Sequence, residues 1–325
     1  MKNSLFRKIA GAVLAAGTMF TLTACGNAAG AVDNTPAADV EATVVAEADG
    51  DWEWTRDRDY FVVGHLPNNE DHPHFQTAQT GLADAMSELL GGMEVRTVRV
   101  ADPTAMVEAM RLGHVDMGIL GAAAVVDAYE RAGAVPVANM FRPGAPARSY
   151  TIVRADSDIY TLEDLQGRTF AFVDPSSTTS TLLPSLAIIE AMPELNLDFE
   201  TLQTPGQFFD GVVMTGAHPH VVQAVIMGDA DAGGVVSPQM YTTLAEQGLP
   251  EDYLRVIAYS APQITANMVV AGDIDIELRN AIQAMLLEFD NVDYFIGMWD
   301  APDGRFFEVS IDDFAEMFAL VAMRG

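Results

Sequence analysis

The stretch Thr169–Pro184, TFAFVDPSSTTSTLLP, decides how the rest of the chain is read. Thr169–Val173 is a short apolar, β-prone run with the composition of a buried strand. Asp174-Pro175 ends it, because proline has no N–H to give a ladder and restricts the residue before it. Five hydroxyl residues follow, Ser176 to Ser180, and an apolar helix starts at Leu182. Strand, polar turn and helix form the repeating unit of an α/β fold, whose ligands sit beyond the carboxyl ends of the strands. The first N–H groups of a helix have no intrahelical acceptor and carry the positive end of its dipole, so a hydroxyl-rich helix start suits an anion. The same residues also make an ordinary N-cap. The stretch alone does not separate these readings.

The alternation extends in both directions. Upstream, Tyr60–Leu66 reads as a buried strand ended by Pro67, and Ala78, Leu82, Ala85, Met86, Leu89 and Leu90 recur at helical spacing. Val95, Val98 and Val100 belong to the next strand. Asp102-Pro103 is an N-cap followed by proline at the first helical position, and that helix stops near Gly113. Val115–Leu120 is a strand, Ala122–Arg131 a helix closed by Gly133, and Val135–Phe141 and Tyr150–Val153 are strands. Downstream come strand Val212–Met214, helix Val221–Met227, strand Ala232–Val236, helix Pro238–Glu246 and strand Val256–Tyr259. Two tail helices, Ile276–Phe289 and Ile311–Met323, complete the series. The pattern implies parallel sheets flanked by helices: an α/β protein of two Rossmann-like lobes with a hinge. Lobe 1 takes residues 51–145 and 265–325, lobe 2 residues 146–264, with crossing segments at Arg142–Tyr150 and Ser260–Met268.

The N-terminus speaks to compartment. Lys2, Arg7 and Lys8 precede an apolar run, Ile9–Leu22, of signal-peptide length. Leu22-Thr23-Ala24-Cys25-Gly26 resembles the lipobox of bacterial lipoproteins, which implies a signal peptide over 1–24 and acylation of Cys25, the single cysteine. Residues 25–50 hold no aromatic side chain and read as a flexible tether. The chain has 17 Lys+Arg against 46 Asp+Glu; beyond residue 24 the count is 14 against 46, a net charge of −32. Both lysines lie in the signal segment. Such a surface excludes nucleic-acid binding and suits a salty medium, where added salt screens self-repulsion. It also repels anions globally, so anion capture would rest on local dipoles and hydroxyls.

A second signal is Thr215-Gly216-Ala217-His218, again between a strand and a helix. Gly216 permits close backbone approach. His218 can donate to an oxyanion, with a charge tunable near neutral pH, or serve as a capping residue. Glu70-Asp71-His72-Pro73-His74, with His65 upstream, has metal-ligand chemistry. Trp52, Trp54 and Trp299 can stack on a ligand or pack locally. The many methionines at helical spacing read as core filler, and Asp290 and Asp293 as a solvated face.

The run from Thr151 through Pro184 resembles the phosphonate/phosphite/phosphate-binding subfamily of ABC-transporter solute receptors. Further segments carry the likeness: Gly64-His65-Leu66-Pro67, Glu108-Ala109-Met110 through Val115-Asp116, Phe208-Phe209, Gly216-Ala217-His218, Gly228–Gly233 and Ser260–Ile264. The resemblance implies the periplasmic-binding-protein type II architecture. It places Ser177, Thr178 and Thr179 on the family's Ser-Thr-Ser oxyanion clamp and His218 on its histidine. Ser176, Leu66 and Gly216 complete the expected ligand-binding set. Three departures stand out: Pro103 where a Tyr is common, and Pro219 and Val236 where the family often carries Asp. The missing acid at Val236, with Thr181 where an aromatic is frequent, argues against an aminoalkyl-phosphonate. The expectation is a monomeric, lipid-anchored receptor on the extracytoplasmic face of the membrane. It would pass phosphite, methylphosphonate or phosphate to an ABC permease, with no cofactor, no metal and no catalytic residue. Alternatives are a receptor for a metal ion or another small solute, or a ligand-sensing module for a membrane kinase.

Overall fold

The computed structural model describes residues 6–8, 54, 56–67, 72–141 and 146–324. Cys25, the tether, Trp52, Glu70, Asp71 and most of the expected signal peptide lie outside the described residues. The chain begins with β1 (Phe6–Lys8), β2 (Tyr60–His65), α1 (Phe75–Leu89), β3 (Glu94–Arg99), α2 (Pro103–Arg111), β4 (Met117–Leu120), α3 (Ala122–Ala132) and β5 (Val135–Phe141). It continues through β6 (Ser149–Arg154), β7 (Thr169–Phe172), α4 (Leu183–Ala191), α5 (Phe199–Gln203), β8 (Gly211–Met214), α6 (His218–Met227), β9 (Ala232–Val236), α7 (Ser237–Glu246) and β10 (Leu254–Ser260). The tail adds β11 (Asn267–Val270), α8 (Ile276–Glu288), α9 (Val292–Trp299), β12 (Arg305–Glu308) and α10 (Ala315–Arg324).

Among the described residues the strands form two six-stranded sheets, ordered β12-β5-β11-β4-β2-β3 and β1-β10-β6-β9-β7-β8. β2 runs parallel to β3 and β4, and β7 parallel to β8 and β9. The sheets are mixed, however, and not parallel throughout as the alternation predicts. β11 opposes β4 and β5, and β6 opposes β9 and β10. The crossings between sheets explain this. The chain leaves β5 at the carboxyl end of that strand, so β6 enters its own sheet from the shared side and runs back against its neighbours. β10 to β11 repeats the reversal. β1 falls within the expected signal peptide, yet it pairs antiparallel with the free edge of β10. An edge strand offers unpaired backbone groups to any extended segment.

Period-two alternation divides the core. In β2, Phe61 and Val63 face α1, α8 and α9 through Leu82, Met86, Leu278 and Phe295, while Val62 faces Met106, Met110 and Val125 of α2 and α3. In β7, Phe170 and Phe172 stack with Phe209 at ring centroids of 4.8 and 6.1 Å, whereas Ala171 faces Val221 and Val225 of α6. Fully buried Asp116 accepts from the Val62 amide at 2.7 Å and pairs with Arg56 at 3.0 Å and with Arg58, which ties the segment before β2 to the turn before β4.

The tail departs most from expectation, with three helices and two strands where two helices are predicted. Asn291 caps α9, its Oδ1 accepting the Tyr294 amide at 3.0 Å. Tyr294, Phe295 and Met298 then bury one face, with Phe306 of β12 at 5.9 and 5.3 Å from the two rings.

Gly234 of β9 allows the serine-rich turn to rest directly on the second sheet. A Cβ there would fall 2.0 Å from the Ser180 carbonyl oxygen, a backbone atom with nowhere to move. Gly234→Ala is expected to lower unfolding stability by about 3 kcal/mol in chemical denaturation, the scale of an overpacked core.

Candidate functional site

The carboxyl ends of β2, β4, β5, β7 and β9 open onto one cleft of about 220 Å³ between the sheets. Five windings begin on its wall, at Pro103 of α2, Gly121 before α3, Ser177, His218 of α6 and Val236 before α7. Each start leaves amide N–H groups without an intrahelical acceptor. Among the described lining residues none is Lys or Arg, and Asp102, Asp174, Glu246 and Asp300 bring carboxylates.

The serine-rich segment winds earlier than the sequence predicts. Thr178–Leu182 forms a π-helical turn, with the Leu183 amide reaching Thr178 O, and α4 follows. Single π turns occur mostly inside helices and often at functional sites. The hydroxyls of this turn bond backbone groups that flank it. Ser180 Oγ donates to Gly234 O at 2.6 Å and accepts from the Val173 amide at 2.8 Å. Thr181 Oγ1 donates to Asp174 O at 2.6 Å, and Ser149 Oγ donates to Thr179 O at 2.6 Å.

These bonds sort the hydroxyls. Ser176 lines the cleft, but its hydroxyl and amide both donate to Asp174 Oδ1, at 2.6 and 2.8 Å. Ser177 Oγ accepts from the Ser180 amide at 3.4 Å, and Thr178 Oγ1 accepts from the Ala123 amide at 2.8 Å. As acceptors, both keep their own protons to donate. Ala123 lies at the start of α3, in the other lobe, so Thr178 joins the two walls. Thr179 lines the cleft beside them.

His218 is the first residue of α6, which begins three residues before its predicted start at Val221. Its Nδ1 accepts from the Val236 amide at 3.4 Å, which leaves the proton on Nε2 and makes the neutral ring a donor toward the cleft. Burial pushes the imidazole down to about 4. The expected titration near neutral pH is therefore corrected: the ring is neutral through that range. Gly216 also lines the cleft. It adopts φ +79°, and a Cβ there would meet open space on the cleft wall, so the left-handed turn is itself a reason for glycine at this position. Leu66 is half-buried on the cleft wall, packed against the core cluster around Val62 and Met106.

His72 lines the cleft, with its Nδ1 accepting the His74 amide at 3.2 Å, while His65 packs edge-on against Phe75 at 5.2 Å. Among the described residues no three His, Cys, Asp or Glu side chains are grouped to hold a metal ion. Trp54 packs on Phe61 at 5.8 Å, and Trp299 reaches the cleft wall. Two features escape the sequence reading. Phe75, Met140 and Met298 join Trp299 in an apolar wall drawn from distant segments. Asp174, 9 % exposed, also lines the cleft; burial pushes its carboxyl up, Ser176 opposes the shift and Asp102 adds to it. The Asp-Pro that ends β7 was its only sequence signal.

The depressed His218 has a thermodynamic consequence. Between the ordinary histidine value of about 6.5 and the folded value of about 4, the unfolded chain binds more protons than the folded one. Stability therefore falls as pH falls through that window. His218→Gln is expected to flatten this decline in denaturation curves measured across it; parallel curves would contradict a ring held neutral by folding.

A sequence profile described as ABC transporter, phosphonate, periplasmic substrate-binding protein matches residues 64–305. The phosphate-import protein PhnD of Mycolicibacterium smegmatis is 29 % identical over 220 residues; the match spans 65 % of this chain and 66 % of that protein. Two solved structures share the fold. A binding protein component of an ABC phosphonate transporter from Pseudomonas aeruginosa gives a TM-score of 0.67 at 21 % identity, covering 81 % of this chain and 86 % of that one. PhnD1 from Prochlorococcus marinus, in complex with methylphosphonate, gives 0.65 at 16 % identity, covering 81 % and 97 %. With the whole cleft wall from Leu66 to Ala301 inside the matched region, the chain belongs to the phosphonate-binding family of periplasmic substrate-binding proteins of ABC transporters.

Proposed function

We propose that this protein captures a small phosphorus oxyanion, namely phosphite, methylphosphonate or phosphate, and presents it to an ABC permease. One observation carries the reading: helix starts and free hydroxyls converge on a cleft whose described lining contains no Lys or Arg. Ser177, Thr178 and Thr179 donate through their hydroxyls, and the first amides of the π turn and of α3 add backbone donors. His218 donates through Nε2. Leu66 and Gly216 shape the wall, and Ser176 acts through Asp174. Charge-assisted hydrogen bonds contribute roughly 1.5–3 kcal/mol each. Five or six of them offset the association cost and reach on the order of −8 kcal/mol, a micromolar affinity.

Capture proceeds by closure of two lobes, residues 51–145 with 265–325 and residues 146–264, about the crossing segments. The role is binding, not catalysis. Acylation at Cys25 after removal of residues 1–24 would hold a monomer at the extracytoplasmic face of the membrane, on the tether of residues 25–50.

Calorimetric titration with methylphosphonate, phosphite, phosphate and 2-aminoethylphosphonate tests the reading. One of the first three is expected to bind, and the amine to bind far more weakly. Silence toward every phosphorus compound would remove the ligand class. Thr178→Val deletes both the donor and the bridge to Ala123, so it is expected to weaken binding about 10- to 100-fold, whereas Thr178→Ser is expected to keep most of it. Equal isotherms for both variants and the wild type would move the site elsewhere.

A further inference from the structure

The proposed contacts leave one buried acid with an oxygen that nothing uses. Asp174 stands in the cleft wall, 9 % exposed. Its Oδ1 takes the Ser176 amide and hydroxyl, while its Oδ2 is buried with no hydrogen-bond partner among the described residues. Asp102 faces it from the start of α2, in the opposite lobe, and repels its ionised form. The other chargeable groups on the same wall are His218 on α6, Glu246 on α7, His72 before α1 and Asp300 after α9. His218 is held neutral by burial. Ser176, Ser177 and Thr181, which surround Asp174 on its own turn, carry no charge.

Electrostatics sets a condition on anything that enters. A buried carboxylate with no cation beside it is already disfavoured, and an anion delivered next to it disfavours it further. Two negative groups brought this close share a proton. We propose that the cleft takes up one proton together with its anion, that Asp174 carries it, and that the protein thereby selects oxyanions able to bring that proton. This rests on the reading that the ligand is a phosphorus oxyanion. Phosphate, phosphite and alkylphosphonates keep an acidic proton near neutral pH; sulfate and sulfonates have lost theirs. The proton passes from the ligand's P–O–H, or from solvent, to the Asp174 carboxylate, and no bond to phosphorus changes.

The test is titration of the purified protein with methylphosphonate near pH 8.5, where the free ligand is a dianion, in buffers of different ionisation enthalpy. The slope of heat against buffer enthalpy counts protons, and about one is expected for the wild type and none for Asp174→Asn. Wild-type affinity falls about tenfold per pH unit on the alkaline side, while the variant is flat. Methanesulfonate, of similar shape but without the proton, binds the wild type at least about tenfold more weakly than methylphosphonate, and the variant narrows that gap. The same proton count in both proteins overturns the proposal.

Two further measurements guard the interpretation. Asp102→Asn keeps the cap of α2 but removes the facing charge, so the alkaline fall moves to lower pH; an unmoved fall counts against the pair. Denaturation without ligand tests the proton on Asp174 alone. A carboxyl raised by folding contributes stability at low pH that is lost as pH rises, so the wild type weakens relative to Asp174→Asn as pH rises above the ordinary aspartate value of about 4. Parallel curves overturn the assignment whatever the ligand. Diverging curves with no heat from any phosphorus anion overturn the ligand class, and with it the selection.

Discussion

The hydrogen bond from the Ala123 amide to the Thr178 hydroxyl, 2.8 Å long, is the contact around which the site is arranged. It joins the start of α3 in one lobe to the π turn in the other. Both are helix starts, and both line the same cleft. Behind it, Leu182, Leu183 and Leu186 share one apolar cluster with Ala122–Val126, so the two starts are backed by packing as well as by a polar bond.

That arrangement follows from strand direction. β4, β5, β7 and β9 each end at the cleft, and the helices that follow β4, β7 and β9 begin there. The two crossings reverse β6 and β11 and keep these carboxyl ends on one shared side. The mixed sheets thus aim several helix dipoles at a single volume. The π turn adds local width, and Gly234 lets it lie against the sheet.

The strongly acidic composition fits this solution. With 46 acidic residues against 17 basic ones, a cationic anion site would stand in a field that neutralises it with the protein's own carboxylates. Backbone amides and hydroxyls carry no net charge for surface acids to neutralise, and they hold an anion by geometry. Their weakness is that they offer no charge to offset a neighbouring carboxylate, which is why Asp102 and Asp174 matter more here than in a site lined with arginine.

Much of the architecture was legible in the chain. Strand–turn–helix alternation, the Asp102-Pro103 start and the glycine stops at Gly133 and Gly228 are local signals, set by hydrogen-bonding and dihedral rules that act within a few residues. The hydroxyl-rich turn between β7 and α4 was local in the same sense. The antiparallel strands were not, because direction depends on which sheet the chain enters and from which side. Nor was the division of labour among the hydroxyls. Ser176, Ser177 and Thr178 are adjacent and chemically alike, yet one bonds Asp174, one caps the turn and one reaches across to α3. The neutral state of His218 and the isolation of Asp174 belong to the same class. Burial and facing charge are properties of the assembled cleft, built from segments as far apart as Asp102 and Val236, and only the tertiary structure decides them.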